Sequence, residues 1–320
     1  YFVDPRDLKT VYRDTDILIQ SPKVANQAGL AFDEEFRNGG TFQIYKDIFG
    51  NADTMSKDLE LAYNAMRRYI TGGGLFKVPS PTLSKETNEL LKKYNDELKS
   101  YERMQHYASF NLFNGERAYP TRILDKHSIN GTRNDITKNL SGLMDAAESE
   151  IIIQNPYVVL TEEARAAIKR ASDRGVKVII HTNSPMSSDS LLTQAMFIGD
   201  WKGILKDMPN VRIFGYKLST KLHSKVFVFD RKIAVIGTYN MDCVSEQINS
   251  EVVAVVKSRP FANQVAGKIM RDIEDSHEYK IKVERDGSIK TIFGPESHSD
   301  KAVIDRLNML QKLQWLRPLI

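Results

Sequence analysis

The second half of the chain alternates short apolar runs with longer amphipathic segments. Apolar runs at 149–159, 176–183 and 211–218 predict buried strands, and apolar positions recurring every three or four residues predict helices between them. The first of these helices has clear limits, because Thr161 suits an N-cap and Gly175 suits a C-terminal stop. Strands that alternate with helices indicate an α/β layer with largely parallel strands.

Apolar runs continue towards the C-terminus, and they again predict a mixture of strands and helices. After the last predicted strand, Ala-Asn-Gln opens an amphipathic helix, and "RDGS" is typical of a hairpin turn. The predicted elements are strands at 223–230, 232–240 and 249–258, a helix at 261–273, a hairpin around 285–288 and an amphipathic stretch at 302–320.

The first 150 residues are less regular. Their pattern predicts strands at 14–21 and 117–125, a helix at 24–36 and a charged, solvent-facing helical region at 84–105. The following segment, 126–135, contains Gly, Asn and Ser and is interpreted as a crossover between two lobes.

Two segments of the chain resemble each other. Residues 15–36 and 250–273 share the order of an acidic residue, an apolar strand, a proline and Ala-Asn-Gln at the start of an amphipathic helix. Asp16 aligns with Glu251 in this comparison. The shared order indicates a duplicated structural unit.

A duplication implies a protein with two lobes. We expect residues 1–130 to be the remainder of the first lobe and residues 131–320 to be the second lobe. The counterpart of the segment around residue 223 would then precede Tyr1, so that the first lobe is incomplete at its N-terminus.

Composition limits the class of protein without choosing its function. A hydrophobic content of 41% with 27% charged residues is typical of globular proteins, and a formal charge of +4 does not distinguish nucleic acid, a phospholipid surface or an acidic small molecule as partner. The single cysteine, Cys243, excludes an internal disulfide and a zinc ribbon. Apolar runs stay well short of the roughly 20 residues of a membrane-spanning helix.

The segment "LHSKVFVFDRKIAVIGTYN" places several polar residues at regular spacing in an apolar surrounding. Strand alternation puts His223 and Lys225 on one face, and Asp230 ends the strand. A turn then brings Thr238 and Asn240 towards the same point. An imidazole, a fixed cation and neutral donors around one point suit a phosphodiester, whose equatorial oxygens gain charge in the transition state.

The spacing of this segment is similar to that of a known family. HxK, four residues, Asp, six residues and Gly-Thr-x-Asn resembles the HKD signature of the phospholipase D superfamily. The segments 151–158 and 174–184, and "GTYNMD" with the later "NSE", resemble the C-terminal lobe of its bacterial cardiolipin-synthase-like branch. Residues 1–2 and 12–22 resemble the stretch that follows the first HKD motif.

The resemblance implies an α/β fold with two pseudo-twofold-related lobes, mixed and largely parallel sheets, and an active site at their interface. It also implies no metal and no other cofactor, and a covalent phosphohistidine intermediate. The nucleophile would be a first histidine upstream of Tyr1, and His223 would protonate the leaving alcohol and deprotonate the acceptor. None of the other histidines has a lysine two positions later in the sequence. These histidines are His106, His127, His181, His277 and His298.

Further roles follow from the same resemblance. Glu251 would orient His223, and Asp16 would orient the first histidine. Asp230 belongs to the catalytic motif, and the phosphate-holding positions of the family are matched by Lys225, Thr238 and Asn240. Asp14 and Asp16 also form a DxD pair, but carboxylates at this spacing before a strand are ordinarily solvated, so we favour no metal site there.

Other polar residues lie near the predicted strand ends. Asn183 and Ser184 are expected to face the cleft, and Tyr157 either lines the substrate pocket or packs between a strand and a helix. His181 is interpreted as a hydrogen-bonded core residue rather than a catalytic one. Trp315 is interpreted as packing against the lobe, with insertion into a membrane interface as the alternative.

The resemblance predicts a phospholipase D or phosphatidyltransferase that acts on a phospholipid such as phosphatidylglycerol, with water or an alcohol as acceptor. Such an enzyme would contact the membrane peripherally, and the cytoplasmic side of a bacterial inner membrane is the expected location. A nuclease of the same superfamily is the alternative, but a long basic track with stacking aromatic residues is missing, so nucleic acid is not favoured. A catalytically incomplete protein that binds phosphate or lipid is the non-enzymatic alternative, and the oligomeric state stays open.

Overall fold

A computed structural model provides the structure of the chain. It describes residues 12–37, 75–99, 119–128, 131, 133–218 and 220–320. The chain forms two compact units, one made of residues 1–41 and 119–320 and the other made of residues 42–118. The predicted division into lobes at residues 130 and 131 uses a different criterion, internal duplication, and stays a prediction.

Strands and helices alternate through most of the larger unit. The strands are β1 Tyr12–Arg13, β2 Thr121–Lys126, β3 Glu150–Gln154, β4 Lys177–Asn183, β5 Val211–Tyr216, β6 Lys221–Leu222, β7 Val226–Phe229, β8 Ile233–Gly237, β9 Glu251–Lys257, β10 Ser276–Val283 and β11 Ile289–Phe293. The α-helices are α1 Pro22–Phe36, α2 Lys85–Lys99 in the smaller unit, α3 Asp135–Ala146, α4 Glu162–Asp173, α5 Leu191–Asp207, α6 Arg259–Glu274 and α7 Lys301–Leu310. Shorter helical turns lie at Val244–Ile248, Pro295–His298 and Gln311–Leu319.

A mixed sheet forms the centre of the larger unit. In the described residues it has nine strands in the order β11-β10-β5-β4-β3-β7-β8-β9-β2. The mixed α/β class is confirmed, but the expectation of largely parallel strands is wrong. Only β3, β4 and β5 run parallel to one another within the described sheet, because helices cross over between them, whereas β7, β8 and β9 are neighbours that pair antiparallel.

Alternation along the strands divides the core into two layers. In β3, Ile151 and Ile153 pack into one cluster with α3, α4 and α5, while Ile152 between them packs into a second cluster with α6. All three isoleucines are fully buried. Helices therefore cover both faces of the central strands, which explains their nearly continuous apolar sequence.

The predicted strand at 14–21 is not formed. Within the described residues, the extended structure of this region is limited to β1, which pairs in parallel with β6 over Tyr12 and Arg13. A strand requires a partner for its backbone amides, and the edge position beside β9 is taken by β2. Ile17 instead packs as a side chain against the cluster beneath α6.

The helices of the two similar segments begin alike. Ser21 caps α1 by accepting a hydrogen bond from the Val24 amide, and Ser258 caps α6 by accepting one from the Phe261 amide. A proline lies in the first turn of each helix, where a missing N–H costs nothing. Thr161 caps α4 as predicted, through the Ala164 amide.

The smaller unit contains the charged helix α2. Asn95 on this helix accepts a hydrogen bond from the Phe76 amide at 2.7 Å and donates one to the Phe76 carbonyl at 2.8 Å. These two bonds fix the loop before the helix. The predicted continuation of the helix from residue 100 to residue 105 lies outside the described residues.

The C-terminal stretch covers one end of α5. Leu313, Leu316 and Ile320 pack against Val159 and Met196, so this part of the packing interpretation is right. Trp315 itself is 73% exposed, so packing against the lobe is wrong for this residue. Among the described residues, we find no helix with the length and apolar character needed to cross a bilayer.

Candidate active site

His223 is fixed by backbone contacts to the N-terminal segment. It directly follows β6, and its amide donates to the carbonyl oxygen of Arg13 at 2.9 Å. The hydroxyl of Ser224 donates to the same carbonyl at 3.1 Å and lies 3.0 Å from the Thr15 hydroxyl. The short β1–β6 pair therefore holds the chain immediately before and after the imidazole.

Both nitrogens of the His223 ring face charged groups. Nδ1 lies 2.8 Å from Oδ2 of Asp14, and Nε2 lies 2.8 Å from Nζ of Lys225. Because a carboxylate only accepts and an ammonium only donates, this arrangement selects the neutral imidazole with its proton on Nδ1. Tyr12 meets the ring edge-on, with the ring centroids 5.2 Å apart.

The pKa values of Asp14 and Lys225 respond to burial in opposite ways. Burial raises the pKa of Asp14, but the hydrogen bond from His223 and other contacts outweigh it, so the pKa of Asp14 is lowered. Burial lowers the pKa of Lys225 to about 8, although Asp14 and Glu251 favour its charged form. Lys225 therefore remains mostly protonated near pH 7.

Glu251 does not orient His223 as predicted, because Asp14 occupies that position. The Glu251 carboxylate instead accepts hydrogen bonds from the hydroxyl of Thr238 and, at 2.8 Å, from the hydroxyl of Ser245. Glu251 is 7% exposed, and this burial raises its pKa against the effect of both hydroxyls.

Of the predicted phosphate-holding residues, Lys225 directly precedes β7, and Thr238 and Asn240 lie in the turn after β8. The Gly237 amide donates to the Lys225 carbonyl at 3.2 Å, which brings the end of β8 beside Lys225. A β-carbon at Gly237 would lie 2.2 Å from the carbonyl oxygen of Val252, so the close approach of β9 requires glycine there. Thr238 follows immediately and is exposed.

Asn240 lies in the same turn and has an unpaired side-chain atom. Its backbone N–H donates to the Ser245 hydroxyl at 3.1 Å. Its side-chain Oδ1 atom is buried and has no hydrogen-bond partner among the described residues. The adjacent Asp242 accepts from the Ser245 amide at 2.7 Å, and burial raises its pKa. A buried polar atom without a partner is uncommon, and this marks Asn240 as a candidate ligand contact.

Asp230 is a structural residue, so its prediction as catalytic is wrong. It lies seven residues beyond His223 along an extended segment, roughly 20 Å away at about 3.3 Å per residue. Its carboxylate accepts from the backbone amides of Glu148, Ser149 and Glu150, which lowers its pKa to about 2 despite partial burial. Its φ of 49° places it in the turn between β7 and β8.

Two of the predicted pocket residues also have structural contacts. Asn183 is fully buried, donates to the Leu222 carbonyl at 2.8 Å and accepts from the Leu222 amide at 3.0 Å. Ser184 is fully buried and bonded to Ser187. Both predictions as cleft-lining residues are therefore wrong, but Asn183 fixes the residue that precedes His223.

Tyr157 is half-buried and closer to the site. Its hydroxyl donates to Asp189 at 2.7 Å, and Asp189 is close enough to Lys225 to favour the charged form of that lysine. This position supports the interpretation of Tyr157 as a pocket residue.

His181 is a core residue, as interpreted from the sequence. Its ring nitrogens lie 3.0 Å from Nε2 of Gln154 and 2.9 Å from the Ser276 hydroxyl, and burial lowers its pKa to about 3. Gln154 in turn donates to Asp272, which pairs with Arg13 at 3.0 Å. This network links the residue before Asp14 to α6 and the sheet.

Sequence reasoning missed the role of Asp14, because it assigned the orientation of His223 to Glu251. It gave Asp16 a separate role, orienting the histidine of a first motif, and that role stays a prediction. Asp16 is exposed, whereas Asp14 reaches His223 across 209 positions of sequence. The only sequence signal was the pair of acids in "YRDTD", which spacing alone cannot connect to a particular histidine.

Among the described residues, three side chains that could bind a metal ion lie close together. Oxygen and nitrogen atoms of Glu34, Asp125 and His127 lie within 4.8 Å of one another. Arg133 already pairs with Glu34 at 2.7 Å and with Asp125 at 3.4 Å. The cation that these carboxylates need is therefore supplied by the chain itself.

The second half of the chain matches a known family. Residues 140–273 match the family model described as cardiolipin synthase, PLD-like domain. Cardiolipin synthase A of Buchnera aphidicola subsp. Schizaphis graminum is 31% identical over 144 residues, which cover 45% of this chain and 29% of the relative. Cardiolipin synthase 1 of Bacillus anthracis is 28% identical over 148 residues, which cover 46% of this chain and 27% of the relative. The match thus spans less than a third of the length of either relative.

Solved structures show a partial likeness in fold. Nuc from Salmonella typhimurium, a phospholipase D family member, is 16% identical with a TM-score of 0.41 and covers 50% of this chain and 99% of its own. Phosphatidylserine synthase from Haemophilus influenzae Rd KW20 is 10% identical with a TM-score of 0.47, and the match covers 81% of this chain and 62% of that protein.

The mixed sheet and the family match together define a phospholipase D-like α/β domain. Residues 140–273 match a phospholipase D-like family model, and the match lies in the cardiolipin-synthase-like branch. The resemblance found in the sequence is confirmed at this level.

Proposed function

We propose that this chain takes part in phosphatidyl transfer, with His223 as general acid and base at a phosphodiester. The observation that carries the proposal is the Asp14–His223–Lys225 arrangement, in which both ring nitrogens have a charged partner at 2.8 Å. The family match and the cardiolipin synthase relatives support a phospholipid as the substrate class.

Lys225 connects substrate binding to the chemistry of His223. Its ammonium faces Nε2 of His223. A bound phosphate offers that ammonium an anionic oxygen, so Lys225 would turn towards it and Nε2 of His223 would take up a proton from solvent, which makes the ring a general acid. Asp14 would then stabilise the imidazolium through Nδ1.

The transfer itself needs a nucleophile, which in this family is a second histidine. The nitrogen of that residue attacks phosphorus while the bond to the leaving alcohol breaks, and His223 protonates the departing oxygen. Water or an acceptor alcohol then attacks, His223 takes its proton, and the phosphorus–nitrogen bond breaks. A segment of the protein beyond these 320 residues, or His223 of a second copy, would supply the nucleophile.

The turn after β8 would hold the phosphate. Asn240 has an unpaired side-chain oxygen at the site, and turning the amide would present its two N–H donors instead. Thr238 lies exposed beside it. Peripheral contact with a membrane follows from a phospholipid substrate, and the acceptor, water or an alcohol, stays open.

Vesicles containing labelled phosphatidylglycerol test this function on the native full-length protein. We expect His223→Ala to reduce release or transfer of the phosphatidyl group by about 100-fold or more, because proton transfer contributes about that much. His277→Ala, at a half-buried histidine on β10, is the matched control and should retain activity. Full activity in folded His223→Ala would contradict the proposal.

Bis(4-nitrophenyl) phosphate separates this function from the alternatives. Cleavage of this soluble diester without turnover of the vesicles would favour a different phosphodiesterase of the superfamily. Absence of turnover with both substrates, in a protein that still binds phosphate, would favour a binding function.

A further inference from the structure

A second buried lysine lies beside the site. Lys126 is the last residue of β2 and directly opposes Glu251, the first residue of β9, in the antiparallel pair. Side chains at such positions are neighbours about 5 Å apart at their β-carbons. Lys126 is 4% exposed, and Glu251 is among the charges that favour its protonated form, although burial lowers its pKa.

The ammonium of Lys126 has a fixed position. It donates to the carbonyl oxygen of His127 at 2.8 Å and to that of Asn249 at 2.5 Å. These carbonyls accept but do not neutralise the charge, so the positive charge remains opposite Glu251. Lys225, the other lysine near Glu251, would turn to a phosphate when one binds, whereas Lys126 would stay in place.

Each oxygen of the Glu251 carboxylate accepts a hydrogen bond from a hydroxyl of the turn. The Thr238 hydroxyl receives a hydrogen bond from the Val252 amide at 3.0 Å, and the Ser245 hydroxyl receives one from the Asn240 amide at 3.1 Å. Each hydroxyl then donates to one oxygen of Glu251. A hydrogen on the Glu251 oxygen that faces Ser245 would take this acceptor from the Ser245 hydroxyl, whereas the Thr238 hydroxyl also reaches the Val252 carbonyl oxygen at 3.3 Å.

We infer that Lys126 is a positioning residue, which holds Glu251 as a carboxylate and thereby fixes Thr238 and Ser245 at the two sides of the turn that carries Asn240. Burial of Glu251 opposes ionisation, so a permanent cation is needed nearby. This inference adds a residue to the proposed function, and its test by reaction rate depends on that function. Charged groups around this pair are Lys225 beside β7, Asp242 and Glu246 in the segment after β8, Glu35 on α1 and His127 after β2.

The pH dependence of kcat/KM for phosphatidyl transfer tests the inference. We expect Lys126→Met to move the acidic limb of the profile to higher pH by about one unit, because the carboxylate loses a neighbouring positive charge. Lys126→Arg should keep the wild-type profile, and Lys138→Met, at an exposed lysine on α3, is the matched control. A loss of activity by the same factor at every pH would show that Lys126 is only structural, and would overturn the inference.

Urea unfolding gives a readout that does not depend on activity. A raised pKa of Glu251 in the folded state means that stability falls as pH rises from the ordinary pKa through the folded value. Lys126→Met should raise that pKa further, so its destabilisation relative to wild type should grow as pH rises from the ordinary pKa of Glu251 through the folded value of the variant.

The same comparison in a Glu251→Gln background separates the two residues. There we expect the pH-dependent part of the Lys126→Met effect to disappear. A destabilisation that is equal at every pH, or that persists unchanged with Glu251→Gln, would overturn the inference. An inactive wild-type protein would remove the proposed function, while the unfolding series would still decide the role of Lys126.

Discussion

Asp14 and Glu251 are two carboxylates of one site with opposite pKa shifts. The side chain of Asp14 is 35% exposed and faces His223, and its pKa is lowered. Glu251 is 7% exposed and bonded to two neutral hydroxyls, and its pKa is raised. Hydrogen bonds from His223 and the Thr15 amide, together with the charge of Lys225, therefore outweigh the cost of partly burying Asp14, whereas hydroxyls do not offset the deeper burial of Glu251.

The two carboxylates also differ in how the chain places them. Glu251 lies 13 positions from Thr238 and 6 from Ser245, so short turns of the same segment build its surroundings. Asp14 lies 209 positions from His223 and depends on the pairing of β1 with β6. The acid that contacts the His223 imidazole is therefore the one whose position depends on pairing between distant segments of the chain.

Of the substitutions at these carboxylates, Asp14→Asn should lower the rate of phosphatidyl transfer the most. An amide can donate to Nδ1 and so favour the imidazole tautomer with its proton on Nε2, which cannot act as the base. We expect kcat for phosphatidyl transfer to fall by about 10²- to 10⁴-fold, with the free energy of unfolding near pH 7 changed much less. Rates and urea unfolding on the same preparation measure both.

Asp33→Asn is the matched control, because Asp33 is an exposed carboxylate on α1 whose ion pair with Arg37 spans 3.9 Å. Its rate should equal that of wild type. An Asp14→Asn protein that retains full kcat would show that His223 is oriented by another group.

Glu251→Gln should lower the rate less than Asp14→Asn. The glutamine retains one acceptor oxygen but presents an amide to the second hydroxyl, so the turn carrying Asn240 shifts. We expect a roughly 10- to 100-fold loss, mainly as an increase in KM for the phosphodiester, because a small displacement of a binding group has about this effect. A variant with lower kcat than Asp14→Asn would reverse the assigned roles.

Asp230→Asn should affect stability rather than chemistry. A carboxylate with a pKa of about 2, compared with 3.8 ordinarily, stabilises the folded state above the unfolded pKa, and this contribution is lost as pH falls through about 2. We expect a loss of about 2 kcal/mol in the free energy of unfolding near neutral pH. The rate per folded molecule should stay near that of wild type, and a large fall in kcat at unchanged stability would return Asp230 to the catalytic group.

Much of the larger unit could be predicted because its signals are local. Apolar runs located β3, β4 and β5, and Thr161 located the start of α4. The regular spacing of His223 and Lys225 likewise located the centre of the site. Strand direction could not be predicted as well, because it depends on which strands become neighbours in the sheet.

The errors concern contacts between distant segments. A run with strand character at 14–21 forms no strand in the described chain, because the sheet edge is taken by β2. Asp230 has the spacing of a catalytic residue but satisfies the backbone amides before β3. The type and spacing of a polar residue indicate that the residue has a specific role. Which role it has depends on its contacts, and these are known only from the fold.

Nitrogen-15 NMR of the histidine side chains tests most directly whether Asp14 orients His223. The sequence contains six histidines, and a His223→Gln variant would assign the resonance of interest. We predict a hydrogen-bonded Nδ1–H signal for His223 near neutral pH that is lost in Asp14→Asn and retained in Glu251→Gln. A signal that persists in Asp14→Asn and disappears in Glu251→Gln would contradict the account and make Glu251 the orienting acid.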